Sequence, residues 1–319
     1  MNQPGASLAI VFLGSSEFAV PSLEALVAAG ERVELVVTQP DRPGGRGRQP
    51  VPPPVKRAAL ALGLPIFQPE RVNTEESLSR LRELRPELLV VVAYGQILRR
   101  ALLDLPARGA VNLHASLLPR HRGASPIAAA ILAGDAVVGN STMLIDEGLD
   151  SGPVLLQESA PLAPETTRGE LEEALSRSGA ALLLRTLREL RAGSCSPRPQ
   201  SSAEATMCGL ITREVREIDW NRPAAEVRRL VHALSPVPGA ITGFEGRLLK
   251  VFRAREEEGT GAPGEILSLE KEGPRVACGE GALVLLEVQV EGKRALSGAE
   301  WARGGAVKAG LVLRALSHG

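Results

Sequence analysis

LAIVFLG, residues 8–14, is a seven-residue apolar run without charge that stops at a glycine. It is short for a buried helix, and unbroken rather than alternating. That pattern belongs to a strand covered on both faces, the central strand of a parallel sheet. Working outward, Phe18, Leu23, Leu26 and Val27 fall at helical spacing and Gly30 ends the helix. VELVVTQ (33–39), ELLVVVAYG (87–95) and GAVNLH (109–114) repeat the strand pattern, with a helical ESLSRLREL (76–84) between the first two. Strands alternating with helices predict a Rossmann-like α/β domain built on a mostly parallel sheet. STMLIDEGLD (141–150) and GPVLLQESAPL (152–162) read as two more strands about a polar turn, and a long helix over roughly 167–191 closes the unit.

The chain has 319 residues, room for two domains. RAGSCSPRPQSSAEATM (191–207) has linker composition, so the division is 1–190, a linker at 191–207, and 208–319. The last part holds a short helix, PAAEVRRLVHAL (223–234), and short β-like runs (RLLKVFRA, RVACG, ALVLLEVQV) separated by glycine turns. That punctuation predicts a small OB-like β-barrel.

Net charge is zero, so nothing global announces nucleic acid, but residues 41–57 hold five basic residues against one acid. Three cysteines without C-x-x-C spacing argue against a disulfide framework or a structural zinc. No run approaches the roughly 18 apolar residues of a membrane helix. A soluble cytoplasmic protein with no membrane partner is expected.

The turn after the first strand, FLGSSEF, lacks the G-x-G-x-x-G of dinucleotide sites. There is no P-loop, no H-E-x-x-H and no G-x-S-x-G. The chemistry-bearing stretch is AVNLHASLLPRHRGASPI (110–127), at the edge beyond the strands where ligands of such sheets sit. Asn112 and His114 lie two apart at a strand end and so share a face. A neutral donor beside a titratable imidazole suits a developing oxyanion and a proton to be moved. Asp150, in DEGLDSG, needs only a fold-back to reach His114. Ser116 and Ser125 lack a nucleophile's context, so direct transfer without a covalent intermediate fits better. Each feature alone has a plain structural reading: Asn-x-His can cap a turn, and Asp146 and Asp150 around Gly148 can simply make one. No metal is expected, for want of a matching ligand cluster.

NLHASLLPRHRGASPI and DEGLDSGPVL resemble the two signatures of the 10-formyltetrahydrofolate-dependent formyltransferases. The similarity covers nearly the whole chain and includes TQPDRPGGRGRQPVPPPVK (38–56), VVAYGQIL (91–98) and REIDW (216–220). The two signatures are shared by relatives that formylate small amines and by one that hydrolyses the formylfolate. The TQPDRP loop looks like that of the branch acting on methionyl-tRNA, in translation initiation.

The resemblance implies catalytic roles for Asn112, His114 and Asp150. It implies a folate site of Ser116, Leu117, Leu118, Pro119, Tyr94, Gly95, Ile97, Leu98 and Asp146, and tRNA contacts from Arg42, Arg46, Arg48 and Lys56. The co-substrate would be 10-formyltetrahydrofolate, the acceptor the α-amine of initiator methionyl-tRNA, and the second domain would help hold the tRNA. A monomer without metal is expected. The chain departs from the pattern at Val237, where the family commonly has Trp, and at 205–214, which lacks the usual Tyr-Ala and Lys. The competing readings are a formyltransferase for a small amine such as an amino-sugar nucleotide, and a folate- or RNA-binding protein without catalysis.

Overall fold

The structure, a computed structural model, describes residues 7–44 and 49–314. Two compact units emerge: one takes the chain to Pro126, Val137–Ala160 and Glu172–Cys208, the other Ile127–Ala136, Pro161–Leu171 and the chain from Gly209.

The first unit is built on β1 (Ala9–Gly14), β2 (Arg32–Val37), the hairpin β3 (Arg42–Gly44) and β4 (Gln49–Val51), β5 (Ile66–Phe67), β6 (Leu88–Val92), β7 (Ala110–His114), β8 (Arg122–Gly123), β9 (Val137–Leu144) and β10 (Val154–Pro161). A seven-stranded sheet has the order β10-β9-β7-β6-β1-β2-β5. Strands β5, β2, β1, β6 and β7 are parallel, and β9 runs antiparallel to β7. Every residue of β1 and of β6 is buried, as their unbroken apolar runs require. Helices α1 (Val20–Ala28), α2 (Pro54–Ala61), α3 (Glu75–Glu83) and α4 (Arg100–Leu103) fill the connections. α3 starts where the Thr74 hydroxyl accepts the Ser77 N–H, with Glu75 and Glu76 in its first turn and Arg80 and Arg82 in its last, matching the helix dipole.

Helices α5 (Pro126–Ala133) and α6 (Arg168–Ala192) follow, then β11 (Met207–Cys208), which pairs in parallel with β8. The predicted strand over 141–150 differs: β9 begins at Val137 and ends at Leu144. The Asp146 carboxylate accepts the Gly148 N–H and the Ser151 hydroxyl, 3.0 and 2.8 Å away, making a turn in place of a ladder.

The second unit comprises α7 (Ala224–Ala233), β12 (Ala240–Phe244), β13 (Arg247–Glu257), β14 (Ile266–Leu269), β15 (Pro274–Ala277), β16 (Ala282–Val290), β17 (Leu296–Ser297) and α8 (Gly298–Arg303). Its antiparallel sheet has the order β12-β13-β16-β15-β14, with β17 on β16. The chain at 310–314 closes it. Arg314 exchanges backbone hydrogen bonds with Gly243 of β12, and Gly310, Leu311 and Leu313 bond to Gly264 and Ile266 at the other edge. Both edge strands are thereby paired, which is how a barrel removes its edges. Pro161–Leu171 clusters with this unit for a visible reason. The Pro164 carbonyl accepts from the Arg228 guanidinium and lies 3.4 Å from His232 Nδ1, and Gly169 N–H donates to the Ser235 carbonyl. Among the described residues no helix is long and apolar enough to cross a membrane.

Candidate active site

β7 carries Asn112 and His114 to the carboxyl edge of the parallel strands, Leu113 between them facing the other way into the core. Asn112 lies between Val91 of β6 and Met143 of β9, half-buried, and its carboxamide has no hydrogen-bond partner among the described residues. His114 is buried, with Nε2 2.9 Å from the His121 carbonyl oxygen. A carbonyl only accepts, so Nε2 carries the proton and Nδ1 is the nitrogen left to exchange one. Nδ1 faces Asp150 Oδ2 at 3.7 Å. That gap is too long for a hydrogen bond.

Asp150 is held from the other side. Its Oδ2 accepts the Gly123 N–H at 2.8 Å. Its backbone sits at φ 49°, and His121 at φ 56°, left-handed conformations that non-glycine residues adopt only when the surroundings hold them there.

The intervening turn is braced from within. Ser116 Oγ donates to the Arg120 carbonyl, while Ser141 Oγ donates to the Ser116 carbonyl and accepts the Leu118 N–H. Gln157 Nε2 donates both to the Leu118 carbonyl and to Ser141 Oγ, each at 2.9 Å. Leu118 is buried with Met143 and Val154, and Leu117 and Pro119 are half-buried.

A second layer comes from the stretch that composition marks as a linker and from Cys208 just after it. Thr206 Oγ1 accepts the His121 N–H at 2.8 Å, and Cys208 Sγ reaches the His121 and Arg122 carbonyls. Gln200 Nε2 donates to the Asp150 and Gly152 carbonyls, and its Oε1 accepts from Arg122 Nε. Nothing in the local sequence announces these roles, because they rest on contacts about fifty to ninety residues away in sequence.

Of the other expected residues, Tyr94 is buried, its hydroxyl without a partner among the described residues, and burial pushes its phenol well above the usual range. The Tyr94 carbonyl accepts from Ser15 Oγ and Gln39 Nε2. Gly95 takes φ 91° after β6, Ile97 is exposed and Leu98 is core. Asp146 is engaged in its own turn. Arg42 on β3 pairs with Glu70 at 2.8 Å, and Lys56 on α2 holds both carboxylate oxygens of Asp41. Arg46 and Arg48 lie outside the described residues. Among the described residues, no three or more His, Cys, Asp and Glu side chains gather as a metal would need.

The end of β7 thus brings an amide, an imidazole and a held carboxylate together at the carboxyl edge of a parallel sheet. Residues 8–187 match the formyl transferase family and residues 210–306 the formyl transferase C-terminal domain. The protein is thus a formyl-transferring enzyme. It is 45% identical over 304 residues to the methionyl-tRNA formyltransferase of Citrifermentans bemidjiense, covering 95% of this chain and 96% of that one. It is 49% identical over 306 residues to the methionyl-tRNA formyltransferase of Acidithiobacillus ferrooxidans, covering 95% and 98%. The chain belongs to the methionyl-tRNA formyltransferase family. Its fold is also that of HypX from Aquifex aeolicus, solved in complex with tetrahydrofolic acid (TM-score 0.66, 18% identity, 95% of this chain and 48% of HypX). The chain spans about half the length of HypX.

Proposed function

We propose that this enzyme transfers the formyl group of 10-formyltetrahydrofolate to the α-amino group of initiator methionyl-tRNA, acting as a monomer without metal. The observation that carries the reading is the paired arrangement at the end of β7: a half-buried Asn112 carboxamide without a partner among the described residues, and a His114–Asp150 pair with one imidazole nitrogen making no hydrogen bond among them.

The neutral amine attacks the formyl carbon, forming a C–N bond and a tetrahedral oxyanion. An α-amine has an ordinary pKa of about 7.7–8.0, so roughly a tenth to a sixth of it is neutral and able to attack at about pH 7. Asn112 donates to the oxyanion, as does His114 from Nδ1 when protonated. Asp150 orients His114 and assists departure of the amine proton. Collapse breaks the bond from the formyl carbon to N10 of the folate, and N10 takes a proton to give tetrahydrofolate. One oxyanion donor is worth about 10²–10³ in rate, and a general base about 10²–10⁴.

The folate would lie along Ser116–Pro119 and Tyr94, Gly95, Ile97 and Leu98, with Asp146 holding the facing turn. Residues 1–190 would form the catalytic domain, 191–207 its linker and 208–319 a domain that helps hold the tRNA. Arg42, Arg46, Arg48 and Lys56 would meet its phosphates. Arg42 is well exposed, and a surface pair such as Arg42–Glu70 is worth only about 0–1 kcal/mol, so a phosphate can displace the carboxylate. Lys56, doubly bonded to Asp41 and less exposed, is the harder one to recruit.

The test is initial formylation rate with initiator methionyl-tRNA, elongator methionyl-tRNA and an amino-sugar nucleotide as acceptors, at rising salt. Preference for the initiator, with tRNA affinity falling steeply as salt rises, is the expected result. Formylation of the sugar nucleotide alone moves the enzyme to small amines. No consumption of formylfolate with any acceptor leaves a binding protein.

A further inference from the structure

We propose that Gln200 is a positioning residue for the transfer, fixing the turn that presents Asp150 to His114. The inference rests on the catalytic reading of Asp150 given above.

Both the amide nitrogen and the oxygen of this one carboxamide are engaged. Nε2 donates to the Asp150 carbonyl at 2.9 Å and to the Gly152 carbonyl at 2.6 Å, and Oε1 accepts Arg122 Nε at 2.9 Å. The orientation is unambiguous, because carbonyls only accept and a guanidinium only donates. Arg122 is buried, so its guanidinium depends on that partner.

Gln200 therefore joins two separate pieces of chain. One is the turn Asp150–Gly152, where Asp150 holds a left-handed backbone. The other is Arg122–Gly123, whose Gly123 N–H bonds the Asp150 carboxylate. The two pieces meet at Asp150, and the 3.7 Å approach of its Oδ2 to His114 Nδ1 is set by how they are held together. Gln200 touches the Asp150 backbone and not its carboxylate, so it acts through geometry. A misplacement of about 1 Å in such a group can cost 10²-fold in rate.

Gln200→Glu isolates the role. It keeps the acceptor that Arg122 requires and replaces the two N–H donors with oxygen that faces two carbonyls. Gln200→Asn keeps the carboxamide and withdraws its reach, and serves if the first variant does not fold. Both are compared with wild type and with Asp150→Asn, with and without the Gln200 change, using 10-formyltetrahydrofolate and methionyl-tRNA.

The expected result, in variants shown to be folded, is a kcat lowered about 10- to 100-fold and a KM for formylfolate within about twofold of wild type. In the Asp150→Asn background the same change should cost less than about twofold more, because a residue that works through Asp150 has nothing left to position. Wild-type kcat in Gln200→Glu, where Asp150→Asn is slow, overturns the role of Gln200 and leaves that of Asp150 standing. A raised KM at unchanged kcat overturns it too, assigning Gln200 to binding. Full kcat in Asp150→Asn itself overturns the catalytic reading on which the inference rests.

Discussion

Gly123 offers a sharp test of how the site is held. It takes φ 119°, a conformation open to glycine and strained for any residue with a Cβ. A Cβ there would fall closer than 3.0 Å to the Cys208 carbonyl oxygen and 3.2 Å from its carbonyl carbon. Both are backbone atoms of β11, which cannot rotate away as a side-chain end would. Gly123→Ala must therefore part β8 from β11 or twist its own peptide. Either motion pulls the Gly123 N–H from Asp150 Oδ2, now 2.8 Å away.

Backbone strain contributes about 1–3 kcal/mol, overpacking about 1–3, and the two overlap because one movement relieves both. The expected loss of stability is about 2–4 kcal/mol. A displaced Asp150 should lower kcat by roughly 10²-fold. Urea unfolding followed by far-UV circular dichroism measures the first. Tryptophan fluorescence would not serve, since Trp220 and Trp301 are the chain's two tryptophans and both belong to the second unit. A single-turnover formylation assay measures the second. Wild-type stability together with wild-type kcat would refute the claim that β11 and Gly123 hold the Asp150 carboxylate.

Two further predictions concern the second unit. His232 is fully buried, between the Pro164 carbonyl and the Ala254 N–H, with the Arg228 cation and Glu165 near it. Burial first, and Arg228 second, push its imidazole below the ordinary 6.5. The unfolded chain therefore takes up a proton first, and stability present above about pH 6.5 is lost as pH falls below it, by up to about 1.4 kcal/mol per pH unit. Tryptophan-detected unfolding at pH 7, 6 and 5 should show that loss, and His232→Gln should flatten it; parallel slopes would contradict it. Cys278 is buried and its thiol pushed up to about 12 by burial, so in the folded enzyme iodoacetamide should label Cys195 and leave Cys278 intact. Equal labelling without denaturant would contradict that.

The elements legible in the sequence are those whose pattern is local. The runs at 8–14, 87–95 and 109–114 became β1, β6 and β7, and 223–234 and 282–290 became α7 and β16 almost residue for residue. Asn112 and His114 were legible because strand periodicity puts them on one face, and DEGLDSG did fold back far enough to set Asp150 beside His114. Asp146 looks like Asp150 in sequence, yet its side chain is engaged in its own turn. That difference lies in a backbone conformation no spacing reveals. Gln200, Thr206 and Cys208 were hidden for another reason. A Ser- and Pro-rich segment reads as a linker by composition, whereas its contacts depend on where β8 and the Asp150 turn come to lie. The closing of the barrel by 310–314 was equally out of reach, since it rests on backbone pairing with Gly243 and Gly264 rather than on any run of side chains.

The measurement that bears most directly on the central claim is single-turnover formyl transfer from 10-formyltetrahydrofolate to initiator methionyl-tRNA by wild type, Asn112→Ala and His114→Ala, at saturating substrates. The expected result is a transfer rate at least about 10²-fold lower in each variant, with both variants folded and still binding formylfolate. Transfer at the wild-type rate by either one would contradict the assignment of the chemistry to the end of β7.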